Sequence, residues 1–84
     1  MFRAHQPLAR VSAPAQAERR FEEALSLYQA IGGRYSTARA LYFYGLWLRA
    51  HSQPEGARTC LERCAQLWDE IGLPDYAAAA RAAL

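Results

Sequence analysis

Residues 38–72 read ARALYFYGLWLRAHSQPEGARTCLERCAQLWDEIG, and this stretch decides the fold. In its first half Leu41, Tyr42, Phe43, Tyr44, Leu46, Trp47 and Leu48 leave almost no polar side. A helix that is apolar all round is buried all round. Ser52, Gln53 and Pro54 interrupt it. Pro54 then opens another helix, where its missing N–H costs nothing, and Glu55 sits near the positive end of the helix dipole. Gly72 closes that helix, since glycine takes the left-handed cap conformation cheaply. The reading is helix, turn, helix.

The same text continues on both sides. Upstream, residues 15–33 read AQAERRFEEALSLYQAIGG. Ala17, Phe21, Ala24, Leu25, Tyr28 and Ile31 fall at helical spacing, with Glu18, Arg19, Glu22 and Glu23 opposite. Gly32-Gly33 ends that helix, and Ser36 or Thr37 is the cap candidate for the next. Downstream, Pro74 and Asp75 open a fourth helix. The predicted spans are 15–32, 35–51, 55–71 and 75–83, each antiparallel to its neighbour. Residues 1–14, with Pro7 and Pro14 and no sustained period, read as a leader or linker before a single helical domain at 15–84.

Shifted by forty residues, the chain matches itself. Ala17 lies on Ala57, Glu22 on Glu62, Leu27 on Leu67, Ile31-Gly32 on Ile71-Gly72, Ala38 on Ala78 and Ala40 on Ala80. Phe21 meets Leu61, Ala24 meets Cys64 and Tyr28 meets Trp68. A match across helix, turn and helix is the signature of a helical-hairpin repeat.

Composition agrees. The 84 residues include eighteen Ala and ten Leu but one Val, helix-forming stock that excludes a sheet protein. No apolar run reaches the roughly 18–20 residues needed to cross a bilayer, and no secretory signal is visible, so no membrane role is expected. All ten basic residues are Arg; the net charge is +2 with the signs interspersed, which gives no basic stripe for nucleic acid. Cys60 and Cys64 do not make a secreted disulfide framework, and the expected compartment is the cytoplasm.

Residues 38–72 resemble a tetratricopeptide repeat. Leu41, Tyr44-Gly45 and Leu48 occupy the first-helix positions that carry a large residue, Leu-Gly and an aromatic in that family; Ala57, Leu61 and Cys64 occupy the small–large–small positions of its second helix. Gly45, Ala57 and Cys64 are thereby expected to let the two helices approach closely. Tyr44, Leu48 and Cys64 depart from the usual residues, the terminating proline is delayed to Pro74, and the forty-residue period exceeds the usual thirty-four or so. The LYQAIGG and LWDEIG endings resemble the repeat arrays of bacterial signalling ATPases and LuxR-type transcriptional regulators. The resemblance implies an all-α superhelix of antiparallel hairpins that binds other proteins. A C-terminal repeat fragment of a larger signalling or transcriptional regulator is the alternative.

No residues assemble into a catalytic constellation, and neither enzyme activity nor a cofactor is expected. Gly32-Gly33 lies between helices rather than after a strand, unlike a phosphate loop. His5 and His51 lack a base-and-nucleophile arrangement. Glu22 and Glu23 diverge by about 100° around the helix and read as solvated surface. Cys60 and Cys64 could serve a small thiol- or metal-responsive protein with His51, but a soft metal site wants about four ligands. Packing is the simpler reading.

Two binding surfaces are expected on the second helix. By the resemblance, Arg39, Tyr42, Leu46 and Arg49 line a groove whose two guanidinium groups suit a peptide carrying carboxylates. Tyr42, Phe43 and Trp47 form the expected interface of a homodimer, because one and a half repeats leave an apolar patch uncovered.

Overall fold

A computed structural model describes the backbone of residues 2–84 and the side chains of residues 14–84. Its helices are α1 (Phe2–Ala30), α2 (Arg34–Ala50), α3 (Pro54–Glu70) and α4 (Pro74–Ala82), and the described residues include no strand. Each helix packs on the next in sequence, α2 against α3 most extensively. The all-α hairpin architecture is the one predicted.

Every connection has the same construction. A residue with positive φ stands at its centre: Gly32 at 72°, Ser52 at 62° and Gly72 at 82°. The next N–H reaches back five residues, Gly33 to Tyr28 O at 2.8 Å, Gln53 to Leu48 O at 2.9 Å and Leu73 to Trp68 O at 2.8 Å. This is the Schellman bond, which satisfies a carbonyl that the helix end leaves free. Helices α2, α3 and α4 consequently begin twenty residues apart, two of them with proline in the first turn and Glu55 or Asp75 beside it.

Two local expectations are corrected. Neither Ser36 nor Thr37 caps α2: the cap position is Gly33, without a side-chain bond, and Thr37 is buried one turn into the helix. Helix α1 runs from Phe2 rather than from about residue 15. The leader assigned to residues 1–14 falls, apart from Pro14, on residues whose side chains lie outside the description.

The core takes most of its buried residues from α3 and α4, small and large alike. Ala57, Leu61, Cys64, Ala65, Leu67 and Trp68 of α3 are buried, as are Ala77 and Ala80 of α4. From α2 come Ala38, Leu41, Tyr44 and Leu48. Gly45 marks a close approach of α2 to α3: a Cβ there would stand 2.8 Å from Leu61 Cγ and 3.3 Å from the Ala57 carbonyl oxygen. Among the described residues, no helix is long and apolar enough to cross a membrane.

Candidate functional site

Helix α2 is covered by aromatic residues from every other helix, although Phe43 stays exposed rather than buried as an all-round apolar helix would have it. On the α1 side, the ring of Phe21 stacks on Tyr44 with centroids 4.9 Å apart, and Trp47 closes over Phe21 at 6.1 Å. Trp47 also stacks on His51 at 4.0 Å. The His51 Nδ1 lies 2.9 Å from the Trp47 carbonyl, which can only accept, so that nitrogen carries the proton. On the opposite side, Tyr42 packs on Trp68 of α3 at 5.6 Å, and Trp68 meets Tyr76 of α4 edge-on at 5.2 Å.

That second group borders an open hollow of about 230 Å³ between α2 and α4. Tyr35, Tyr42 and Phe43 form one wall, Tyr76 and Ala79 the other, and Trp68 lies between them. Tyr35 and Tyr76 approach to 6.3 Å across it. Arg39 completes the rim with its guanidinium 5.4 Å from the centre of the Phe43 ring, a cation–π distance. Tyr35, Phe43 and Tyr76 each keep nearly half of their surface exposed. Trp68 is buried, and its indole N–H has no acceptor among the described residues.

The four predicted groove residues are thus divided. Arg39 and Tyr42 line the hollow; Leu46 does not, and Arg49 donates a hydrogen bond to the Ala83 carbonyl at the end of α4. Arg49 belongs instead to a second hollow with Pro54, Ala57, Arg58, Leu61 and Leu84. Of the three residues assigned to an oligomer interface, Phe43 is the exposed one, while Tyr42 and Trp47 are half-buried. Sequence reasoning missed Tyr35, Trp68 and Tyr76 as site residues. The available signal was Tyr35 and Tyr42 flanking Arg39 on one helical face, with Tyr76 one turn into α4, a helix equivalent to α2 in the forty-residue repeat.

The thiols have a different character. Cys60 is half-buried and Cys64 fully buried, and neither forms a disulfide. Burial, with the neighbouring Cys60 adding to it, pushes the Cys64 thiol up to about 12; burial raises Cys60 as well. At neutral pH both are therefore neutral thiols, the unreactive form. No group of three His, Cys, Asp or Glu among the described residues is arranged to hold a metal ion. Glu22 and Glu23 are exposed, but Glu22 is not idle: after burial itself, the charges of Glu18 and Glu22 are what raise the Tyr44 hydroxyl above its ordinary value.

No curated protein and no solved structure matches the chain. A family model does: the tetratricopeptide repeat model covers residues 8–70, from α1 through the last residue of α3. Together with four helices joined by equivalent turns and a glycine where α2 closely approaches α3, that match places the chain in the tetratricopeptide repeat family.

Proposed function

We propose that this chain is a non-enzymatic protein–protein interaction module that receives its partner on the face shared by α2 and α4. Tetratricopeptide repeats in general mediate protein–protein contacts. The observation that carries the reading to this face is the hollow itself. It exposes three aromatic rings and an arginine without a carboxylate partner among the described residues. Exposed aromatic and arginine side chains around a recess are the composition of an interaction hot spot. The face lies within α2–α4, so the reading holds equally for a repeat carried by a larger signalling or transcriptional regulator. We assign it to the cytoplasm on its two free thiols. Affinity capture with the wild-type chain and with a Phe43→Ala/Tyr76→Ala pair tests the proposal. A protein retained by the first and lost by the second supports it; proteins retained equally by both refute this face.

Self-association through α2 is the second reading, favoured by Phe43, which remains 47% exposed beside Tyr42. Light scattering would show a dimer that Phe43→Glu dissociates. A folded 9.4 kDa species at micromolar concentration defeats it.

A further inference from the structure

Away from the aromatic face, an open hollow of about 300 Å³ lies where the turn after α1 meets α3. Gly33, Arg34 and Thr37 line it from the start of α2, Arg63 and Glu70 from α3. Helix α2 has no acidic residue in its first turn and no side-chain cap, whereas Glu55 and Asp75 stand in the first turns of α3 and α4. The Arg34 and Thr37 N–H groups donate to the Gly32 and Gly33 carbonyls, but those of Tyr35 and Ser36 find no backbone acceptor among the described residues. Unpaired amides at the positive end of a helix favour an anion. Arg34 and Arg63 are exposed, and among the described residues neither is paired with a carboxylate.

Thr37 supplies an independent sign. It is only 5% exposed, yet its hydroxyl makes no hydrogen bond among the described residues, whereas Thr59 donates to the Glu55 carbonyl four residues back at 3.1 Å. Nor is that hydroxyl sealed in the core: the enclosed side-chain atom without a partner there is Trp68 Nε1. The Thr37 hydroxyl therefore opens on the hollow it lines. Two guanidinium groups, two amides and a hydroxyl suit the several oxygens of a phosphoryl group better than the two of a carboxylate. Glu70 narrows the choice further. It repels a second anion and accepts from hydroxyls, so the rest of the ligand carries donors.

We propose that this hollow binds a small sugar phosphate. Its phosphoryl group meets the first amides of α2, the Thr37 hydroxyl, Arg34 and Arg63, and its hydroxyls donate to Glu70. The site is separate from the partner face and does not depend on it.

Titration of the full chain with ribose 5-phosphate, followed through the backbone amide resonances, tests this, with ribose and inorganic phosphate as the other probes. Ribose 5-phosphate should shift Tyr35, Ser36 and Thr37 saturably, inorganic phosphate should shift the same amides about tenfold more weakly, and ribose should move none. Arg34→Gln and Arg63→Gln should each weaken ribose 5-phosphate about tenfold, and Glu70→Gln should erase its advantage over inorganic phosphate. Arg58→Gln, exposed on α3 beside a different hollow, should change nothing. Thr37→Val should also weaken binding; if circular dichroism shows that it unfolds, the two exposed arginines decide. No saturable shift at Tyr35 and Ser36 with millimolar ribose 5-phosphate overturns the proposal, as does binding that survives both arginine substitutions. A phosphoserine peptide that shifts the same amides at lower concentration overturns the sugar as the ligand.

Discussion

Helices α1 and α3 occupy equivalent places in the forty-residue repeat, yet they live in different surroundings. Ala57, Leu61, Cys64 and Trp68 of α3 are buried, whereas their counterparts Ala17, Phe21, Ala24 and Tyr28 of α1 are half-exposed. The side-chain pattern is not the cause, for it is nearly the same. In the described chain α3 lies between α2 and α4, while α1 packs mainly on α2. The side of α1 marked by Ala17, Phe21 and Ala24 opens on a shallow hollow instead. Burial in a repeat protein is thus a property of neighbours as much as of sequence, since each unit completes the next.

The largest expected effect contrasts Leu61 with Phe21. Leu61→Ala should cost about 2–5 kcal/mol, because a side chain only 1% exposed leaves a cavity among Gly45 and its neighbours. Phe21→Ala removes more atoms but opens no enclosed cavity; losing its stack on Tyr44 should cost about 1 kcal/mol. Urea unfolding of both variants checks this, and the comparison breaks if Phe21→Ala proves the more damaging. Next comes Gly45→Leu, expected to cost about 1–3 kcal/mol despite leucine's better helix propensity, because the added Cβ alone would meet Leu61 at 2.8 Å. A variant as stable as the parent would mean that the α2–α3 crossing is looser than its geometry.

Cys64 and Ala24, a repeat-equivalent pair, extend the contrast to titration. The folded Cys64 thiol titrates near 12 against an ordinary 9.0, so the folded state holds its proton more tightly than the unfolded chain. Its contribution to stability is complete below pH 9.0 and is lost as the pH rises towards 12. The parent should lose about 1 kcal/mol between pH 8 and pH 10 from this group. Cys64→Ala should reduce the fall, leaving a remainder from Cys60, which burial also raises from its ordinary 9.0, and above pH 10 from Tyr44, whose hydroxyl is raised from its ordinary 10.0. A cysteine placed at Ala24 should react readily with a thiol reagent at pH 8, while Cys64 stays protected. Equal reactivity at both positions would remove the distinction between the helices.

The architecture was legible because repeats write their fold as period. The forty-residue match, the prolines at 54 and 74 and the glycines at 32 and 72 placed three turns and every helix end but the start of α1 within a residue or two. What escaped notice follows from physics that a pattern does not carry. Ser52 performs a glycine's task, and nothing in its side chain announces a positive φ. Residues 1–14 read as a leader for want of a sustained period, whereas α1 runs from Phe2. The hollow was half legible: Arg39 and Tyr42 share a face of one helix, but Trp68 and Tyr76 join them only through packing across α3 and α4. Arg49 was grouped with Arg39 by spacing along α2, which says nothing about the α4 carbonyl that occupies it.

The smallest effects lie where α1 and α3 should behave alike. Both helices end at a glycine in the left-handed region, Gly32 at 72° and Gly72 at 82°, and an added Cβ at either position would touch nothing within 4 Å. Replacement by alanine therefore costs only the backbone strain of a left-handed L-residue, about 1 kcal/mol, at both sites. That cost is local, so it should be equal for the two helices even though one is half-exposed and the other buried on two sides. Ser52, at 62° in the middle turn, already bears the strain. Ser52→Gly should accordingly stabilise the chain by about 0.5 kcal/mol, the relief of strain being partly offset by the greater freedom of glycine in the unfolded state. Thermal unfolding of the three variants in one buffer is the measurement. If Gly32→Ala were nearly neutral while Gly72→Ala cost its full amount, the first turn would yield under strain where the last does not, and the difference between α1 and α3 would extend from their faces to their ends.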